Sequence, residues 1–290
     1  MPRSKFLFAF AALITSQAAA SAPKVPVPFK PVDRWNIDYS DDSCALRRGF
    51  SDGKRLVSLE MRQFAPGITF YLTIASGDIA MDSGIPKAGF APGIAMRAIN
   101  PPLYLRYSPK VTGMQWSDRL LTDEELQVAA KGAYWDPVIR DRREAQVTGL
   151  NLGGRLPLMF LQTGAMLRPM QAMRACLDEL MTHWGIDAKV QHTLSRAVTP
   201  FEFEKWVPKI QATYPSAMLN EGKSGSVRVR LIVDEAGKPT TCHMQMKSQD
   251  PAFEKTACEK MLKHARFLPA LDANGKAVTS YYTNTINYLM

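Results

Sequence analysis

Two Asp-x-x-Gly turns punctuate the last stretch of this 290-residue chain, and they leave few ways for it to fold. From Gly225 onward the residues alternate: Val227, Val229, Leu231 and Val233 share one face, while Arg228, Arg230, Ile232 and Asp234 take the other. That period of two predicts a strand with one buried face. Asp234 and Gly237 bracket a hairpin turn in which glycine supplies a positive φ, and Pro239 to Lys247 predicts the returning strand. Asp250 is placed to cap a helix that has Pro251 at its first position and packs through Phe253, Ala257, Met261 and Leu262. Arg266 to Ala270 closes that helix, Asp272 and Gly275 make the second turn, and Lys276 to Leu289 predicts a final strand. Upstream, Glu204 to Gln211 predicts a short helix, stopped before Tyr214-Pro215 because a residue preceding proline is pushed out of the helical region.

These pieces carry a family likeness. A Tyr-Pro entry (Tyr214-Pro215), a G-x-V-x-V strand (Gly225, Val227, Val229) and a D-x-x-G turn (Asp234, Gly237) come first. A basic-aromatic-x-Pro-Ala segment (Arg266 to Ala270) and a second D-x-x-G turn (Asp272, Gly275) follow. In this order they resemble the C-terminal domain of TonB, and the likeness covers the chain from about Glu204 to its end. The resemblance implies a small α/β unit with a three-stranded antiparallel sheet backed by helices. It also implies that the last strand lies at the sheet edge and takes up the N-terminal peptide of an outer-membrane transporter by strand addition, since an exposed edge offers unpaired N–H and C=O groups. Val278, Tyr281, Tyr282, Asn284 and Asn287 are then the candidate partner contacts. Energy-transducing members of the family keep a membrane helix and a long proline-rich arm, and neither is visible in this sequence. The expectation is therefore a binding or adaptor protein. A membrane-anchored energy transducer is the alternative, with a periplasmic hydrolase behind it.

The N-terminus reads as an export signal. Arg3 and Lys5 precede the short apolar run Phe6 to Ile14, and Ala18 and Ala20 are placed for cleavage before Ser21. The apolar run falls well short of the ~20 residues that span a bilayer. A periplasmic location is expected, with inner-membrane anchoring if the signal is retained. The formal charge of +9 drops by two without Arg3 and Lys5, and the remaining basic residues are scattered. They suit an anionic envelope surface, and no nucleic-acid partner is expected.

The four cysteines of an exported chain are expected as disulfides. Pairing Cys242 with Cys258 and Cys44 with Cys176 keeps each bridge within one domain, and the cysteine pair of the terminal segment resembles that of a subgroup of the family. A metal site needs closer ligands than the dispersed His183, His192, His243 and His264. No metal or cofactor is expected.

The whole reading is α+β. Residues 1–20 are a signal peptide and 21–34 a proline-spaced leader, extended and exposed. Residues 35–195 form a β-rich domain with two helices, and 196–290 a TonB C-terminal-like domain with a three-stranded antiparallel sheet. The first of the two helices follows a capping box at Thr122 and Glu125. The second runs from about Pro169 to Trp184, with Met170, Met173, Leu177, Leu180 and Met181 as a core-packing face. Asp38, Asp41 and Asp42 read as turn-capping residues before Cys44. The Asp82-Ser83-Gly84 tripeptide matches the core of aspartic proteases, but it is ordinary turn chemistry. Gly149 to Gly154 is glycine-rich without the strand-to-helix context of a phosphate loop. No catalytic residue is nominated, the protein is not expected to be an enzyme, and its oligomeric state is unreadable.

Overall fold

The computed structural model describes residues 25–77, 84–129, 136–212, 220–222, 225–246 and 251–288. The export signal, Asp82-Ser83, Tyr214-Pro215 and the helix-capping Asp250 of the sequence reading lie outside these residues.

Short alternating segments make up the first half: β1 (Val27–Pro31), β2 (Asn36–Ser40), β3 (Ser43–Ser51), β4 (Leu56–Gln63), β5 (Thr69–Ser76), β6 (Pro86–Ala91), β7 (Arg97–Ala98), β8 (Leu103–Arg106), β9 (Thr112–Arg119), β10 (Gly149–Gly154) and β11 (Met159–Leu161). They form one sheet in the order β7-β6-β10-β11-β1-β3-β4-β5-β9-β8, with β2 paired to β3. Four helices accompany it: α1 (Asp123–Ala129), α2 (Pro137–Gln146), α3 (Leu167–His183) and α4 (Ala188–Gln191).

The capping box at α1 closes as read. The Thr122 amide donates to Glu125 Oε2 at 2.9 Å, and the Glu125 amide donates to Thr122 Oγ1 at 3.1 Å. Helix α3 buries Met170, Met173, Leu177, Leu180 and Met181 in the core, so its methionine stripe is packing. A disulfide joins it to β3, Cys44 to Cys176, with the Cα atoms 6.1 Å apart.

Two features depart from the sequence reading. Helix α2 is not among the two helices expected there, although Asp136 caps it by accepting from the Val138 amide at 2.8 Å and Pro137 opens it. Its mean hydropathy is low and its face toward the core is narrow. The leader is not wholly exposed. Residues 27–31 form β1, parallel to β11 and antiparallel to β3, and Phe29 is fully buried. Burying that ring contributes about 2–3 kcal/mol, enough to hold a proline-rich strand in the sheet. The glycine-rich segment is strand β10. A Cβ at Gly149 would meet Leu161 O at 2.4 Å, so close backbone approach explains that glycine.

The second half contains β12 (Thr199–Pro200), α5 (Phe203–Gln211), β13 (Gly225–Val233), β14 (Pro239–Met246), α6 (Pro251–His264), β15 (Phe267–Leu268), β16 (Ala270–Leu271), β17 (Ala277–Val278) and β18 (Ser280–Tyr288). Strands β14, β13 and β18 form a three-stranded antiparallel sheet in that order. Its core joins Val227, Val229, Leu231 and Val233 to Phe253, Ala257 and Met261 of α6 and Trp206 and Ile210 of α5. Leu194 and Val198 belong to the same core. The turns repeat one device. Asp234 Oδ1 accepts from the Ala236 and Lys238 amides, and Asp272 Oδ1 accepts from the Asn274 and Lys276 amides. The second disulfide, Cys242–Cys258, fastens β14 to α6 with the Cα atoms 5.5 Å apart. No helix among the described residues is long and apolar enough to cross a membrane.

Candidate functional site

Because opposite residues of a ladder share a face, the register divides β18 cleanly. Tyr282, Asn284 and Ile286 stand opposite Leu231, Val229 and Val227, on the side of the helices. Tyr281, Thr283, Thr285 and Asn287 stand opposite Ile232, Arg230, Arg228 and Ser226, on the other side. The Tyr282 ring packs 4.8 Å from that of Phe267, and burial pushes its phenol pKa upward. Asn284 Oδ1 accepts from the Thr285 amide, and Asn287 Oδ1 pairs with Ser226 Oγ at 2.8 Å. Tyr281 meets Trp184 edge-on at 5.6 Å. Val278 lies in β17, opposite Ala270, and packs against the second core. Asn287 alone of these five candidate contacts is exposed.

The non-helical face of this sheet is covered by the first half of the chain. Gln245 of β14 donates through Nε2 to Phe64 O at 2.6 Å. His243, whose side chain leaves β14 on the face opposite to Cys242, lies 2.7 Å from Asp42. Arg230 Nη1 reaches the same Asp42 oxygen at 3.3 Å, and its guanidinium lies over Trp184. Burial pulls the Arg230 pKa down, and the Asp42 carboxylate opposes that pull. The Arg228 guanidinium lies against both Phe64 and Tyr71, 5.2 and 5.5 Å from their ring centroids. At the start of β18 the Ser280 hydroxyl bonds Gln191 Oε1 at 2.5 Å. The sheet is thus a middle layer, with helices on one side and the first half of the chain on the other.

Sequence reasoning missed this interface. The alternation placed Arg228 and Arg230 on one face, but nothing local named Asp42, Phe64, Tyr71 and Trp184 as what they meet. Asp42 pairs with Arg230 and His243 of the terminal sheet rather than capping a turn, while Asp38 pairs with Arg47 at 2.9 Å.

Both outer strands of the small sheet have an unpaired edge among the described residues, but β14 is stapled to α6. Strand β18 begins instead at a cleft of about 970 Å³, at the upper end of the ~300–1,000 Å³ typical of ligand sites. Ser280 and Tyr281 line it beside Ile68, Leu121, Met170 and Leu194. Its charges are largely matched. Arg174 clasps Glu144 through two bonds of 2.7 and 3.0 Å, and Asp178 holds His192 at 2.9 Å. Burial pushes the Glu144 carboxyl pKa up, against the lowering effect of Arg174. Among the described residues no group of three or more His, Cys, Asp or Glu is placed to hold a metal.

An edge strand and a helix-backed sheet are what the resemblance implied, and the two D-x-x-G turns were among the motifs that carried it. Residues 210–290 match the family model for the Gram-negative bacterial TonB protein C-terminal. The match marks this segment as TonB-like. It takes in every strand of the three-stranded sheet, together with α6 and both turns, and leaves out most of α5. The N-terminal region has no family match, and no curated protein matches the chain. The layer that covers the TonB-like sheet is therefore built from the part of the chain without a recognised family.

Proposed function

We propose that this protein is a periplasmic binding or adaptor protein whose TonB-like domain takes up an extended peptide of an envelope protein along β18. The peptide is of the kind found at the N-termini of outer-membrane transporters. One observation carries the reading: β18 pairs with β13 alone among the described residues, and it starts in an open cleft. An unpaired edge is a template for another strand, and main-chain bonds supply affinity while neighbouring pockets supply selectivity. The role is binding rather than catalysis, with the first domain as the platform that holds the edge in place.

Hydrogen exchange on the full chain tests this. Synthetic N-terminal peptides of outer-membrane transporters are expected to slow exchange of those amides between Ser280 and Tyr288 that do not pair with β13. Binding that leaves these amides as fast as in the free protein would remove β18 as the docking edge.

A further inference from the structure

A second, smaller cavity of about 150 Å³ lies between the domains. Its polar walls include Arg62, Thr69, Tyr71, Ser117, Arg228 and Thr283. Residues carrying two guanidinium groups and four hydroxyls therefore line a space whose described lining contains no carboxylate. Arg62 is neutralised, because its Nε and Nη2 bond Glu60 at 2.9 and 3.1 Å. Arg228 is not. Its Nη1 donates to Tyr71 Oη at 3.1 Å and to Thr285 Oγ1 at 3.3 Å, and among the described residues no carboxylate lies in ion-pair range of it. Its Nε is buried without a hydrogen-bond partner.

A half-buried cation packed against two aromatic rings and lacking a counter-ion costs free energy that a bound anion would recover. Tyr71, which accepts from Arg228, keeps its own hydroxyl proton to donate, and Ser117 and Thr283 add further donors. The charge left over is a single positive one. It suits a monoanion, and the size of the cavity suits a small planar group. We propose that this cavity is a carboxylate-binding site, shared by the two domains and centred on Arg228. The carboxylate comes either from a small free acid or from an acidic side chain of a peptide lying on β18, to which Thr283 belongs. The site stands independently of strand addition, since its charge imbalance exists whether or not β18 gains a partner.

The test uses the full chain and titrates sodium acetate against sodium chloride at matched ionic strength. The expected result is a saturable shift of the Arg228 Nε–H resonance with acetate only. It comes with a rise in melting temperature of about 2–4 °C that Arg228→Met abolishes. If Arg228→Met fails to fold, Thr283→Val serves instead and is expected to weaken acetate binding several-fold. A short valine–threonine peptide carrying one glutamate separates the two sources. Saturation at a concentration about tenfold lower than for acetate, with the glutamine version losing that advantage, assigns the carboxylate to a peptide. Saturation by acetate alone assigns it to a free acid. An unshifted Arg228 resonance with every carboxylate, or an acetate effect that survives in Arg228→Met, overturns the site. Strand addition falls separately, if β18 amides stay unprotected while carboxylates still bind.

Discussion

The Arg230 guanidinium lies 3.9 Å from the centroid of the Trp184 ring, and this contact joins the middle strand of the TonB-like sheet to the end of helix α3. Asp42 closes the arrangement from β3's side by pairing with Arg230 and His243. A cation stacked on a desolvated indole gains up to ~2 kcal/mol, while its burial would cost more without the carboxylate. The pair therefore works as a unit with Asp42.

Removing the carboxylate exposes that dependence. Asp42→Ala leaves Arg230, whose side chain is 8% exposed, facing Trp184 without its anion. A loss of about 2–3 kcal/mol is expected, below the range for fully buried pairs because Asp42 keeps some contact with solvent. Urea unfolding is the measurement. The two halves are also expected to unfold in separate transitions, and a single unchanged transition would contradict the interface.

The hairpin turn between β13 and β14 has no room for a side chain at Gly237. Its φ is +77°, and a Cβ would come 1.9 Å from Phe267 O. Gly237→Ala is expected to destabilise by about 3 kcal/mol, combining left-handed strain with displacement of the β15 backbone. Gly275 has a similar φ of +80°, but a Cβ there would meet nothing within 4 Å. The same change at Gly275 is expected to cost about 1 kcal/mol. Paired denaturation curves check the contrast.

The bridges differ in loop length, with sequence separations of 16 for Cys242–Cys258 and 132 for Cys44–Cys176. Chain-entropy reasoning assigns about 3 kcal/mol to the short loop and about 5 kcal/mol to the long one. Replacing each pair by alanines is expected to follow that order in chemical denaturation. The reverse order would show that local packing, rather than loop closure, dominates.

Tyr288 provides a pH test. Burial pushes its phenol up to about 12, whereas an unfolded tyrosine ionises near ~10. The folded state holds its proton longer, so this group's contribution is constant below ~10 and is lost as pH rises from there to about 12. Absorbance titration is expected to show a late-ionising component that shrinks by one tyrosine in Tyr288→Phe, with Tyr107 and Tyr282 remaining raised, and a stability curve that falls less steeply in that variant over the same window.

Local signals in the chain carried much of the fold. Alternation from Val227 to Val233, the two Asp-x-x-Gly turns, the Thr122–Glu125 capping box and the methionine stripe of α3 depend on neighbours within a few residues, and each is visible before any folding is known. The order of those pieces was enough to mark the terminal segment as TonB-like. The polar helix α2 and the buried Phe29 of β1 were not legible, because both are held by partners far away in sequence.

The candidate site divides in the same way. By itself the sequence determined that β13 has an arginine face, that β18 is the last strand of a small sheet, and that cysteines lie where each domain could hold its own bridge. Only the tertiary structure decided what covers that arginine face: Asp42, Phe64, Tyr71 and Trp184, drawn from segments with no motif in common. The physical reason is that a strand's alternation reports which side chains point together. A cation's counter-charge, an aromatic platform and an enclosed cavity are made by surfaces that meet only when the two halves of the chain pack.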